Sequence, residues 1–170
     1  MALSKIDGTN LITGLPAGSV LQTVQTLKTD TYSSTANGFN DVTGLSVAIT
    51  PSSSSNKVFV VADVAMGLSD FYSYNWVFKV LRDSTSIGVH SGATTDASGG
   101  GNLYLSGGSY PYLFGNAKFI LDSPSSTSSL TYKIQANKIS ASATLYLNRK
   151  GSDTSVGAVS SITAMEIAGW

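Results

Sequence analysis

Short apolar runs of five to ten residues recur along this chain, and this pattern limits the fold more than any other feature. Each run closes at Gly, Pro, Ser, Asn or Asp, as strands of antiparallel sandwiches and barrels do. No segment longer than ten residues keeps a helical period. The pattern predicts nine strands, at Val20–Lys28, Val42–Thr50, Lys57–Met66, Asn75–Arg82, Asn102–Ser106, Ala117–Asp122, Leu130–Ala136, Ala143–Asn148 and Ser161–Ala168.

Composition agrees with an all-β fold. Glu166 is the only glutamate, so a favoured residue of exposed helices is nearly absent, whereas Val, Ile, Thr, Tyr and Phe are frequent. Nine strands in this length fit two antiparallel sheets packed face to face, of the jelly-roll or immunoglobulin kind. The first nineteen residues keep no period and contain Gly8, Gly14, Pro16 and Gly18, so we expect an extended arm there.

The charges exclude several classes of partner. Ten basic and ten acidic residues balance, and no Lys/Arg cluster occurs, so we expect no nucleic-acid partner. The longest apolar run, 58–66, is far shorter than the roughly 18 residues of a membrane span, so we expect no membrane insertion. The chain has no cysteine, one histidine and no phosphate-binding glycine loop, so we expect no metal and no cofactor, and we interpret Gly99–Gly101 as a loop tip.

His90 is the only residue that suggests acid–base catalysis. It adjoins Ser91 and precedes Asp96 by six residues, but neighbouring residues of an extended chain point to opposite sides, and no G-x-S-x-G motif occurs. We interpret His90 as a solvated loop residue and expect a protein without enzymatic activity. A small hydrolase built on His90 and Asp96 is the alternative.

The third predicted strand is apolar on both faces. Even positions from Val58 to Met66 are all apolar, and the opposite face carries Phe59, Val61 and Asp63. In a two-layer sandwich the second face needs a cover, and another copy of the chain would supply it. We therefore predict a homo-oligomer in which Phe59 and Val61 contribute about 3 to 6 kcal/mol per subunit. The alternative is a central strand covered by loops of its own chain.

Two aromatic clusters stand beside predicted loops, in DFYSYNW and SYPYLFG. Tyrosine combines an apolar ring with a polar tip, which suits contacts with a partner or a glycan. Trp76 instead begins a strand and is predicted to pack in the core. The candidate contact residues are Tyr72, Tyr74, Tyr110 and Tyr112, which could face a sister subunit or a host molecule.

One possible ion pair involves Glu166 and Arg149, which lie in or at the end of the last two predicted strands. If these strands are neighbours, a bidentate contact would fix their register or tie subunits together.

Two segments near the carboxyl end resemble small structural proteins of tailed phages, particularly those of marine and cyanobacterial hosts. They are LDSPSSTSSLTYKIQANKISASATLYLNR (Leu121–Arg149) and DTSVGAVSSITAMEIAG (Asp153–Gly169). Upstream, VLQTVQTLKTDT, FNDVTGLSVAITPSSSSNKVFV and FKVLRDSTSIG are similar to the opening strands of the same group. The aromatic clusters depart from the pattern.

The resemblance implies a jelly-roll head over residues 20–170, comparable to trimeric C1q/TNF-like heads and carried on a virion. Residues 1–19 would be the attachment arm, with Leu11, Ile12, Leu15 and Pro16 contacting other virion proteins of the tail or capsid. Three roles fit: a trimeric tail-fibre or receptor-binding head with a host-surface glycan as a further partner, a capsid decoration or cement protein, and a glycan-binding lectin independent of any virion.

Overall fold

The computed structural model describes residues 15–69, 74–93, 95–103, 113–139, 142–151 and 153–169, and at 74, 102 and 103 it describes the backbone alone. Within these ranges the chain forms strands and turns and no helix. The strands are β1 (Val20–Lys28), β2 (Tyr32–Ser34), β3 (Asn40–Ile49), β4 (Lys57–Leu68), β5 (Tyr74–Arg82), β6 (Thr85–Ile87), β7 (Gly99–Leu103), β8 (Leu113–Asp122), β9 (Leu130–Lys138), β10 (Leu145–Leu147) and β11 (Ser160–Ile167).

A strand is present at each of the nine predicted places, with described ends that differ by up to four residues, and the all-β prediction is confirmed. The last three residues of the predicted strand Asn102–Ser106 lie outside the described residues. The prediction missed β2 and β6, which have three residues each. Strand β6 follows β5 through a two-residue turn at Asp83 and Ser84, in which Asp83 has a positive φ of 53°. Aspartate tolerates this conformation better than most residues, and such a short hairpin has no periodicity to detect.

The interpretation of Gly99–Gly101 as a loop tip is wrong. These glycines open β7 and pair with Trp76–Phe78 of β5. A Cβ atom on Gly99 would lie 2.7 Å from Phe78 Cε1, and one on Gly101 would lie 2.9 Å from Trp76 Cε2. The strand needs glycine because its backbone passes directly against two buried aromatic rings.

The strand order is that of a jelly roll. Without the three-residue strands, one sheet has the order β1-β11-β4-β8, called here the first sheet, and the second sheet has the order β3-β9-β5-β7. All of these pairs are antiparallel. Counted along the chain, the orders are 1-8-3-6 and 2-7-4-5, two interlocked Greek keys.

The core lies between the sheets, as the alternation predicts. The even positions of β4 from Val58 to Met66 are fully buried, and they face Trp76, Phe78 and Val80 of β5. Trp76 exposes 2% of its surface, so its assignment to the core is confirmed. Leu130, Tyr132 and Ile134 of β9 are also buried, whereas Thr131 between them is exposed.

One edge of β4 changes partner halfway along the strand. Strand β11 pairs with residues 57–63 and β10 with residues 66–68. At the change, Ala65 donates its N–H to Ser160 Oγ (3.0 Å) and accepts the N–H of Asn148 (2.9 Å). Ser160 Oγ also donates to Asn148 Oδ1 (2.6 Å), so the buried backbone groups left by the change of partner are satisfied.

Candidate assembly surface

The strand register gathers exposed apolar side chains on the outer side of the first sheet. Phe59 lies opposite Leu121 on one side and Met165 on the other, and Val61 lies opposite Phe119. The Phe59 and Phe119 rings stack with their centroids 6.4 Å apart at 18°. We call this surface the apolar face, defined by Phe59, Val61, Phe119, Leu121 and Met165.

The apolar face is open to solvent in the single chain. Phe119 exposes 67% and Leu121 51% of their surfaces, and Phe59, Val61 and Met165 are half-buried. Asp63, the third predicted interface residue, is exposed on the same side of β4. The described loops therefore leave Phe59 and Val61 partly open to solvent.

Sequence reasoning missed Phe119 and Leu121. In β8 they alternate with Lys118 and Asp122, so simple patterning places the charged residues outside and the aromatic ring inside. The structure has the opposite arrangement, because Asp122 finds partners within the sandwich. Arg82 donates to both of its carboxylate oxygens at 2.8 Å, and the Tyr132 hydroxyl donates to Oδ2 at 2.7 Å.

The free edge of β8 does not favour association by strand addition. In the described part of the chain, β8 pairs with β4 alone. Lys118 points inward, since it lies opposite buried Ala62, and inward-pointing charges are a common protection against edge-to-edge pairing. The outer side of the sheet, rather than its edge, is therefore the surface suited to contact.

Glu166 is buried in its own subunit, exposing 1% of its surface, and so it is not available as an interface residue. Its Oε1 accepts hydrogen bonds from Asn56 Nδ2 (2.6 Å), the Ser52 N–H (2.6 Å) and Ser52 Oγ (2.7 Å), and its Oε2 accepts one from Gln22 Nε2 (2.6 Å). Burial acts to raise the pKa of Glu166, but the hydrogen bonds from Asn56, Gln22 and Ser52 outweigh it and hold the pKa below its ordinary value.

The predicted pair between Glu166 and Arg149 is therefore wrong within one chain. Leu147 of β10 lies opposite Met66, and Glu166 lies opposite Val58, roughly 26 Å away along β4. Arg149 instead donates from Nε to the Lys150 carbonyl (3.1 Å), and its guanidinium lies 4.2 Å from the centre of the Tyr146 ring.

The candidate contact tyrosines Tyr72, Tyr110 and Tyr112 lie outside the described residues. Tyr74 opens β5, where its backbone pairs with Leu103, and its side chain is not described. One aromatic segment follows β4 and the other precedes β8. The end of β4 pairs with the start of β8, where Gly67 lies opposite Leu113. Both segments therefore connect strands at the same end of the sandwich.

The predicted arm is described only from Leu15 onward, and Leu11 and Ile12 lie outside the described residues. Leu15 and Pro16 are exposed. Ser19 donates its N–H to the Pro16 carbonyl (3.1 Å), and Gly18 and Ser19 exchange backbone hydrogen bonds with Ala168 (2.9 and 2.8 Å). These contacts join the entry to β1 with the end of β11.

His90 and Asp96 lie close together on an exposed loop. His90 Nδ1 is 3.6 Å from Asp96 Oδ1, and the imidazole is 69% exposed. Asp96 Oδ1 also accepts the Ala93 N–H at 3.0 Å, a contact that closes the local turn. Among the described residues, no three His, Cys, Asp or Glu side chains are grouped to hold a metal ion, and no helix could span a membrane.

No protein-family model and no curated protein matches this chain. One solved structure to which it is similar is described as "Structure of infectious bursal disease virus Gx strain", with a TM-score of 0.40 and 12% sequence identity. The similarity covers 91% of this chain and 43% of that chain, so this chain spans less than half of its length.

Proposed function

We propose that this protein is a non-enzymatic structural component of a virion, a homotrimeric jelly-roll head that serves as a tail-fibre or receptor-binding tip. Residues 1–19 attach the head to other virion proteins of the tail or capsid. The resemblance of the strand segments to tailed-phage structural proteins supports the virion location, and the jelly-roll order agrees with the head that this resemblance implies.

The observation that carries the proposal is the apolar face. Complete burial of the exposed parts of Phe119 and Leu121 would contribute about 2 to 3.5 kcal/mol per subunit, before any contribution from Phe59. A contiguous exposed apolar patch on a folded domain marks an interaction surface.

A second copy of the chain is the proposed occupant. The charged residues on this side of β4 are Lys57 and Asp63, which have opposite signs, so copies meet with little net like-charge repulsion. Closed symmetry also repeats each contact around an axis, which allows modest contacts to give a stable assembly. Three copies on one axis would then present three identical binding surfaces, whose weak contacts add through avidity.

Sedimentation equilibrium of the full chain at micromolar concentration tests the assembly. We expect a mass three times that of the 17.6 kDa chain. Phe119→Asp should give folded monomers, because Phe119 is mostly exposed in the single chain and a charge there opposes burial. The matched control is Ala48→Asp, an exposed position on the outer side of the second sheet, which should remain trimeric.

A monomeric wild-type chain would overturn the proposed trimer. A Phe119→Asp variant that still forms trimers would show that the interface lies elsewhere.

The second candidate is a capsid decoration protein, which the same apolar face favours equally. A low-resolution reconstruction of the particle separates the two roles. Copies distributed over the shell indicate decoration, whereas a few copies at the tail indicate a fibre.

A further inference from the structure

The loop between β2 and β3 contains Asn37 and Gly38, which form the only Asn-Gly dipeptide of the chain. Both residues are exposed. Gly38 has a positive φ of 79°, a conformation that glycine adopts without a steric penalty. Neither residue belongs to the apolar face, so the assembly contact proposed above does not include them.

A buried lysine reaches Asn37. Lys138, at the end of β9, lies opposite Trp76 of β5 and exposes 4% of its surface. Opposite residues of an antiparallel pair lie on the same side of the sheet, so the Lys138 side chain points to the interior side, as Trp76 does. Lys138 Nζ donates a hydrogen bond to Asn37 Oδ1 at 3.0 Å. Its ammonium group therefore contacts the amide oxygen of the one asparagine that precedes a glycine.

The dipeptide has the groups that deamidation of asparagine requires. In this reaction the backbone nitrogen of the following residue loses its proton and attacks the side-chain Cγ, an intramolecular attack that short-range geometry favours. Glycine in the following position has no side chain to obstruct the attack. In the described part of the chain, the Gly38 N–H donates no hydrogen bond, so no such bond holds this nitrogen away from Cγ.

The hydrogen bond from Lys138 favours both the attack and its product. A positive charge beside Oδ1 makes Cγ more electrophilic and stabilises the negative charge that develops on the oxygen during the attack. After the amide has become a carboxylate, the same ammonium group faces an opposite charge. A hydrogen bond to a neutral amide then becomes a charge-assisted ion pair.

We propose that Asn37 deamidates in the folded protein, that Lys138 promotes the reaction, and that the carboxylate formed pairs with Lys138. Gly38 N gives up its proton to solvent and forms a bond to Asn37 Cγ. The bond from Cγ to the amide nitrogen breaks, and this nitrogen takes up a proton and leaves as ammonia. Water then opens the succinimide at either carbonyl, which gives aspartate or isoaspartate at position 37. No oxidation or reduction takes place, and water is the only co-reactant.

Peptide mass spectrometry of the full chain, incubated for weeks at neutral and at mildly alkaline pH, tests the reaction. We expect conversion of amide to acid at residue 37 to exceed that at every other asparagine. The rate should rise with pH, because the attacking nitrogen must lose its proton. A wild-type chain in which Asn37 remains intact would overturn the proposal.

Asn37→Gln is the matched control for the reaction. It keeps an amide within reach of Lys138, but attack by Gly38 on the longer side chain would have to close a larger ring. This variant should show no conversion at residue 37. Conversion at the wild-type rate would mean that the attack by Gly38 is not the route, which would also overturn the proposal.

Lys138→Met tests the part that the lysine takes. The rate at residue 37 should fall by roughly threefold or more, because the positive charge beside Oδ1 is lost. Circular dichroism establishes that the variant is folded. An unchanged rate in the folded variant would overturn the proposal. A wild-type cross-link between residues 37 and 138, formed by attack of the lysine nitrogen on the same Cγ, would overturn it as well.

Asn37→Asp tests the product and does not depend on the folding of Lys138→Met. The substitution should raise the urea concentration at the midpoint of unfolding. The gain should decline as salt is added, because the new contact is an ion pair. A midpoint that is unchanged or lower would contradict the pairing of the carboxylate with Lys138, and with it the proposal.

Discussion

The two sheets of the sandwich differ in where their hydrogen-bonded carboxylates lie. The first sheet turns the carboxylates of Glu166 and Asp122 toward the interior and leaves the apolar face outside. On the outer side of the second sheet, by contrast, Asp41 accepts hydrogen bonds from Lys133 Nζ (2.8 Å) and Gln135 Nε2 (2.7 Å).

The difference shows which of the two outer sides is suited to contact with water. On the second sheet, Lys79 Nζ also lies 4.2 Å from the centre of the Phe39 ring, so that aromatic ring is paired with a cation. On the first sheet, within the part of the chain that the structure describes, Phe59 and Phe119 stack on each other and neither is paired with a cation. A solvated outer side of this kind is usual for an antiparallel sheet. The outer side of the first sheet is apolar instead, and for this reason we assign the assembly contact to it.

The largest effect is expected from the inward-facing carboxylate Glu166. Glu166→Gln should lower the free energy of unfolding by roughly 3 kcal/mol, because the new amide places a donor against groups that themselves donate. The lowered pKa of Glu166 means that its contribution is present above the ordinary glutamate pKa and is lost on acidification. In urea denaturation, the difference in the free energy of unfolding between wild type and variant should therefore become smaller below about pH 4.

Arg149→Met is the control for that measurement. Arg149 contacts Tyr146 and Lys150 rather than Glu166, so its loss should cost less than about 1 kcal/mol. Equal losses of unfolding free energy in Glu166→Gln and Arg149→Met would instead indicate an ion pair between the two residues. They would contradict the hydrogen bonds of Glu166 to Gln22, Ser52 and Asn56.

Asp63 gives the next prediction, since it is the acidic residue beside Val61 on the outer side of the first sheet. If copies meet through this side, Asp63→Asn removes repulsion and should tighten association roughly two- to fivefold at low salt. Added salt should strengthen the assembly of the wild type more than that of the variant. Sedimentation at two salt concentrations measures this, and an identical salt response in both proteins would exclude Asp63 from the interface.

The sequence predicted the strands well because their alternation depends on neighbouring residues alone. It also placed Phe59 and Val61 on the side of β4 that faces away from the core, where both are half-buried, since both sides of β4 cannot face one core. It could not predict the exposure of Phe119, because the side that β8 buries depends on the partners of Asp122, which are Arg82 and Tyr132, forty and ten residues from Asp122 along the chain. The role of Gly99–Gly101 was equally hidden, since only the pairing of β7 with β5 brings these glycines against Trp76 and Phe78.

The smallest effect is expected on the outer side of the second sheet. Hydrogen bonds from Lys133 and Gln135 lower the pKa of Asp41, so its contribution is present above the ordinary aspartate pKa and is lost below it. Asp41 is exposed, and Asp41→Asn should cost only about 0.5 kcal/mol at neutral pH, and less in high salt. Urea denaturation at two salt concentrations measures this, with Lys133→Met completing a double-mutant cycle. A loss as large as that of Glu166→Gln would remove the contrast between the sheets, because it would mean that an ion pair in water stabilises the fold as much as a buried carboxylate with four hydrogen bonds.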